Sequence, residues 1–373
     1  MPSPPSALHF TRPPRDTRLD IMRGWMQVSI FISHVVGSLF YWSIHAAWGL
    51  SDSSEQFIFL SGFTLGSVFT LKAARDGFPA ARADMLQRAR KLYVTHLTVF
   101  AMFAALVFAA GMQLLPGEVG RLHWSFLAEQ PWFAVPAAAL TLYQPDFMGI
   151  LPTFVWCMLL LPGFLWLTDR VGAWALLLSV LAYAGVQLGV WATPAPFDNG
   201  IAFDPLAWQL LFLTGAWFGR RALVGGAAVE RNGALMLGAV AVVLFGLWAR
   251  LVEHGFVPGP ELAVAALMHK EALALPRLLH ALALAYLVAV LMPREARWMR
   301  GAPAQAMAAI GRHSLQVFCL GLFLAWGATT ALRLWPDQAP WLDPLVIGLG
   351  VVALWGLAIV RDRRARRPRV AAA

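Results

Sequence analysis

An arginine and a histidine, Arg23 and His34, stand eleven residues apart in the first apolar stretch of this chain, which runs from Arg15-Asp16-Thr17-Arg18-Leu19-Asp20-Ile21-Met22-Arg23 to Ile32-Ser33-His34. Eleven helical residues turn through about 1100° and rise roughly 16 Å, so the two side chains share one helix face half a bilayer apart. An imidazole in hydrocarbon is costly, and at such depth it faces a cavity or a partner. Kept neutral near physiological pH, it can act as a general base toward a hydroxyl.

The elements that must carry this pair are membrane helices. With 59% hydrophobic and 13% charged residues, the chain has too few polar side chains to cover a soluble domain. Its mean hydropathy of +0.63 agrees. Hydropathy predicts an all-α polytopic membrane protein with about ten spans, near 21–43, 55–71, 92–115, 149–168, 172–192, 205–219, 232–251, 273–292, 310–332 and 341–360. The expected organisation is a cytoplasmic N-terminal segment over 1–20, a single integral membrane domain over 21–360 and a basic cytoplasmic tail over 361–373.

Basic residues test the alternation. With the N-terminus inside, 24 of the 29 lysines and arginines fall on the inner side, and both termini are expected to be cytoplasmic. The net charge of +9 then sits in short loops facing anionic lipid, and no nucleic-acid partner is expected. The first stretch exceeds a signal-peptide core and reads as a retained helix. Cys157 and Cys319 fall inside apolar spans and form neither a zinc pattern nor a disulfide framework.

Further polar residues gather by depth. Ser61, eleven residues before Lys72, and His280, thirteen before Pro293, come out near the level of His34. Ser61-Gly62 also suits close helix packing, and His280 suits either a satisfied buried histidine or a cavity group. The stretch Ser51-Asp52-Ser53-Ser54-Glu55-Gln56 opens the second helix and reads as a cap, while Glu55 can also orient His34 or His45. Two long outer loops are expected, about 116–148 and 252–272. The first carries Trp124, Phe126, Trp132, Phe133, Tyr143 and Phe147, which suit either an interfacial belt or a stacking platform for sugars beside Gln130, Gln144 and Asp146.

These residues carry a resemblance. The Arg23 to His34 spacing, Phe57-Ile58-Phe59-Leu60-Ser61-Gly62-Phe63 and Arg88-Ala89-Arg90-Lys91 resemble the membrane acyltransferase 3 superfamily. Arg18-Leu19-Asp20, Ser51 to Gly62, Ile150-Leu151-Pro152, Trp208-Gln209-Leu210-Leu211-Phe212 with Gly215, Arg277-Leu278-Leu279-His280 and Gly311-Arg312-His313-Ser314-Leu315 narrow it to the OpgC family, over about residues 15–335. That resemblance implies a ten-helix bacterial inner-membrane protein that succinylates periplasmic glucans.

Such chemistry has a physical path along these residues. A polyanionic acyl-CoA donor would dock on inward-facing cations, with Arg23, Arg88, Arg90, Lys91, Arg312 and His313 as candidates, and no tightly bound cofactor is expected. His34 would act as base or as acyl carrier, with Glu55 and Ser61 completing the catalytic candidates. Arg277, His280, Gln144, Asp146 and Trp208 are the substrate-binding candidates, Arg277 and His280 for a succinyl carboxylate. A transporter or flippase using the same midplane groups is the other functional class, although no duplicated halves are visible.

Overall fold

Prolines, glycines and acidic caps punctuate the apolar sequence into helices; the computed structural model describes residues 15–194, 200–260, 264 and 267–366. Among the described residues there are helices and turns but no strand. The principal helices are α1 (Thr17–Ser33), α2 (Ser53–Asp76), α3 (Phe78–Gln113), α4 (Ile150–Val171), α5 (Leu176–Gln187), α6 (Pro205–Gly225), α7 (Gly233–Glu253), α8 (Leu275–Leu291), α9 (Ala302–Arg312), α10 (Ser314–Leu334) and α11 (Ala339–Arg366).

Among the described residues, six helical stretches are long and apolar enough to cross a membrane: Ser53–Asp76, Phe78–Gln113, Ile150–Gln187, Gly233–Glu253, Ser314–Leu334 and Pro336–Ala365, with Leu275–Leu291 a shorter apolar helix. That number does not support the expected ten. The span expected to reach residue 43 stops at Ser33. The stretch Ile150–Gln187 comprises two helices, as expected at 149–168 and 172–192: α4 is capped by Gly172, which takes φ 61°, and a 3-10 turn leads into α5, which stops at Gln187. The span expected at 310–332 is divided, because α9 ends at Arg312 and α10 starts at Ser314. At the C-terminus the basic tail is helical as far as Arg366. The expected N-terminal segment up to residue 14 and the tail beyond 366 lie outside the described residues.

Contacts divide the chain into two units. The first holds most of α2, all of α3 to α6 and the start of α8. Here α2 and α6 touch backbone to backbone: a Cβ at Gly62 or Gly66 would collide with the Phe212 or Ala216 carbonyl, and one at Gly215 or Gly219 with those of Phe59 or Phe63. Two small-xxx-small pairs thus face each other, the packing that lets apolar helices approach when hydrophobic burial cannot drive them together. Ser61 is partly buried beside this crossing.

The same unit corrects the long outer loop expected at 116–148. Val119 packs at Gly111, Trp124 on Phe100 and Phe103, Phe147 on Phe103, and the Tyr93 hydroxyl donates to the Ala139 carbonyl at 2.7 Å. The segment therefore follows α3 from Gly111 back to Tyr93, a rise of roughly 27 Å. Its physical reason is packing: Trp124, Ala134, Ala137, Ala138 and Tyr143 are buried against the unit, while Trp132 and Phe133 stay exposed.

In the second unit α1 packs on α9, α10 and α11. Asp16 caps α1 by accepting from Arg18 N–H, and Arg18 reaches the Met292 carbonyl at 2.6 Å. The α1–α9 contact is again glycine against backbone. A Cβ at Gly24 would strike the Met307 carbonyl, and one at Gly311 the Asp20 carbonyl. Replacing Gly24 or Gly311 by leucine should therefore destabilise the purified protein by about 3 kcal/mol, the upper range for overpacking, in detergent thermal unfolding. Gly238, whose Cβ would meet open space, is the control; equal effects at all three positions would contradict the packing argument.

Candidate active site

The site is built on α1. At its start, Arg15 pairs with the buried Asp20 carboxylate at 2.6 Å, and Gly311 brings the end of α9 against the same turn. Arg312 and His313 there converge on Asp362 of α11, at 2.5 and 2.8 Å. Arg23 lies one turn further along α1 and is partly buried. This end is rich in cations, and the helix N-terminus adds its own positive potential.

From Arg23 one face of α1 continues through Gln27, Ile30, Phe31 and His34, which with Val317, Phe318, Gly321 and Leu322 of α10 line a narrow crevice. It is too narrow for a water-sized sphere. Gln27 is 2% exposed, and neither its amide nitrogen nor its amide oxygen has a hydrogen-bond partner among the described residues. An unsatisfied buried amide costs about 1–3 kcal/mol, so a side chain kept in this state calls for an explanation.

His34 is not in mid-helix, as its position in a longer span implied; it caps the C-terminus of α1. The helix stops because other groups take the backbone beyond it. Thr329 Oγ1 accepts from Val36 N–H at 3.0 Å and donates to the His34 carbonyl at 3.2 Å, and Asp343 accepts from Leu39 N–H at 2.8 Å. The imidazole Nδ1 lies 2.7 Å from the Ile30 carbonyl. A carbonyl can only accept, so Nδ1 carries the proton and a neutral ring keeps its lone pair on Nε2. That is the tautomer a general base requires.

The backbone after His34 is braced by its own unit. The Arg250 guanidinium donates to the Gly49 carbonyl at 2.9 Å, and His254 Nε2 lies 2.9 Å from the Ala47 carbonyl. Trp42, Trp48, His254 and Phe256 cluster edge to face, with Trp42 and Phe256 exposed. Aromatic faces in such an arrangement can stack on sugar rings. His280 is a strut of this bracing: it is 2% exposed, its ring fills the space where Gly49 and Gly246 have no Cβ, and its Nδ1 accepts from Ser51 N–H at 3.3 Å and lies 2.7 Å from Ser51 Oγ.

The start of α2 forms a capping box. Asp52 Oδ1 accepts from Ser54 N–H at 2.7 Å, and Glu55 Oε2 accepts from Asp52 N–H at 2.9 Å. Glu55 is fully buried, with a structural role at this cap.

Other expected residues belong to the first unit. Arg88 pairs with Asp84 at 2.8 Å, while Arg90 and Lys91 are exposed and have no carboxylate partner among the described residues. Arg277 is buried and donates to the Met268 carbonyl at 3.4 Å. Trp208 is fully buried, its indole N–H shared between the Lys270 and Glu271 carbonyls at 3.1 and 3.0 Å, so no sugar can stack on it in this state. Gln144 is buried and donates to the Thr141 carbonyl at 2.9 Å; Asp146 is exposed and 3.0 Å from His123 Nδ1.

Sequence reasoning missed Gln27 and the Trp42 cluster. Gln27 carries a visible signal, a lone amide between Arg23 and His34 on one face of an apolar helix. The cluster had none, since its members come from segments more than 200 residues apart. A family model described as OpgC protein matches residues 15–366. No curated protein and no solved structure matches the chain. With that match running over nearly its whole length, through α1 and the crevice it lines, the chain belongs to the OpgC protein family.

Proposed function

We propose that this protein moves an acyl group, succinyl by the family's precedent, from a cytosolic acyl-CoA to a hydroxyl of a periplasmic glucan, within a bacterial inner membrane and with both termini cytoplasmic. Membership of the OpgC family points to an acyltransferase acting on glucans. The observation that carries the reading is the His34 tautomer: with Nδ1–H given to the Ile30 carbonyl, Nε2 is the basic nitrogen at a crevice also lined by Gln27.

The donor phosphates meet Arg23, Arg312 and His313 at the start of α1, Asp362 yielding part of its hold on the last two. The pantetheine arm runs along α1 toward His34, a rise of roughly 16 Å. Because the crevice is closed to a water-sized sphere, Phe31 and Phe318 must swing apart to admit it. At the far end the acceptor oxygen attacks the thioester carbon while Nε2 takes the hydroxyl proton. Negative charge moves to the thioester oxygen, where the Gln27 amide N–H can donate to it. The carbon–sulfur bond then breaks, and the imidazolium returns its proton to the departing thiolate, leaving an ester and free CoA. Arg277 is proposed to hold the succinyl carboxylate.

Purified His34→Ala should lose glucan ester formation by at least about 10²-fold, read by mass spectrometry of the product with free CoA as the second product; unchanged turnover would remove His34 from the reaction. Gln27→Leu should lower kcat by about 10²-fold. Its thermal stability should be unchanged or higher, because an apolar group replaces an unpaired buried amide. A full rate, or a rate that falls only with the melting temperature, would contradict the oxyanion role. Arg277→Ala should shift donor preference from succinyl-CoA toward acetyl-CoA, and an unaltered ratio of kcat/KM for the two donors would refute the carboxylate assignment.

A further inference from the structure

The first unit contains a second cavity that the acyl-transfer reading does not use. Between α3, α4 and the tip of the segment that folds back along α3 lies an open groove with about 340 Å³ of free volume. Leu86, Ala89, Leu140, Val155, Trp156 and Leu159 make its walls almost wholly apolar, and Arg90 is the one ionic side chain among its lining residues. Arg90 has no carboxylate partner among the described residues, in contrast to Arg88, whose charge is met by Asp84.

Its floor is a built feature. Thr141 is 5% exposed and held at φ 65°, a conformation that a β-branched residue adopts only under constraint. Three hydrogen bonds supply the constraint: the Trp156 indole N–H donates to Thr141 Oγ1 at 2.9 Å, Gln144 donates to the Thr141 carbonyl at 2.9 Å, and Thr141 N–H donates to the Ala138 carbonyl at 3.0 Å. The Tyr93 hydroxyl ties the neighbouring Ala139 carbonyl to α3. The effect is to hold the Trp156 ring as one wall, 44% exposed, without an unsatisfied indole N–H.

Both long walls belong to stretches of membrane-crossing length. Leu86, Leu140, Trp156 and Leu159 are all more than 40% exposed along the opening, so the groove faces whatever surrounds those stretches. Arg90 is followed by the exposed Lys91, and neither has a carboxylate partner among the described residues. An occupant must therefore join a long apolar part to an anion. We propose that the groove seats one acyl chain of an anionic phospholipid, its phosphate held by Arg90. A cation at a membrane surface adds about fivefold to the affinity for an anionic over a neutral headgroup, and the apolar walls supply the rest. Arg90 was also among the cations expected to meet acyl-CoA, but the donor path proposed above runs past Arg23, Arg312 and His313 and uses no residue that lines this groove.

The test uses the full chain in detergent, titrated with phosphatidylglycerol or phosphatidylcholine and followed by native mass spectrometry, beside Arg90→Ala and Leu159→Trp. The parent should retain phosphatidylglycerol about fivefold more tightly than phosphatidylcholine. Arg90→Ala should erase that preference while still binding both lipids, and Leu159→Trp, which fills an exposed part of the groove, should weaken both. Inorganic phosphate should not displace the bound lipid, since it lacks the apolar part. Equal retention of the two lipids by the parent, or a preference that survives Arg90→Ala, would overturn the proposal, as would displacement by acyl-CoA at concentrations that leave phosphatidylcholine bound.

Discussion

Backbone contact between α1 and α9 at Gly24 and Gly311 is the constraint on which the proposed site depends. Any side chain at either glycine would meet a carbonyl of the opposing helix, so the pair can approach this closely only without them. One consequence is electrostatic: the end of α9, with Arg312 and His313, is held beside the first turns of α1, with Arg15 and Arg23. The other is directional. With that face of α1 given to α9, the face bearing Gln27, Ile30, Phe31 and His34 is turned to α10, where the crevice lies. Burial alone would hold the helices together at many rotations; carbonyl-to-glycine contact leaves far fewer.

The far end of α1 is governed by a different device. The Ile30 carbonyl, which accepts from His34 N–H at 3.2 Å and from the Ser33 hydroxyl at 2.9 Å, also takes the ring Nδ1–H of His34 and so fixes its tautomer. Thr329 and Asp343 take the next backbone N–H groups, so the chain leaves the helix at a defined residue. The imidazole is thus held by the backbone of its own helix and by the neighbours that stop that helix.

Much of the fold was legible and some was not, for physical reasons that particular residues show. Helical class and membrane character follow from composition. The capping role of Asp52 and Glu55 follows from their spacing, and the small-residue packing at Gly62 from its Ser-Gly context. The end of α1 was hidden because Val35, Val36, Leu39 and Phe40 continue the apolar run, and the partners that stop the helix are some 300 residues away. The fold-back after α3 was hidden because Trp124 and Tyr143 have the same composition whether they lie in a membrane interface or in a packed core; only their contacts with Phe100 and Phe103 separate the two. At the site, Arg23 and His34 could be paired by spacing alone. The satisfied state of His280 depends on the absence of Cβ atoms at Gly49 and Gly246, which no local pattern announces.

If the donor travels between α1 and α10, the crevice there must open for each turnover. A disulfide across it, Ile30→Cys with Phe318→Cys in a background lacking Cys157 and Cys319, measures this most directly. The oxidised protein should bind glucan but form no ester from acyl-CoA, and a reductant should restore turnover in the same sample. Ester formation at the parent rate with the staple demonstrably closed would contradict the account.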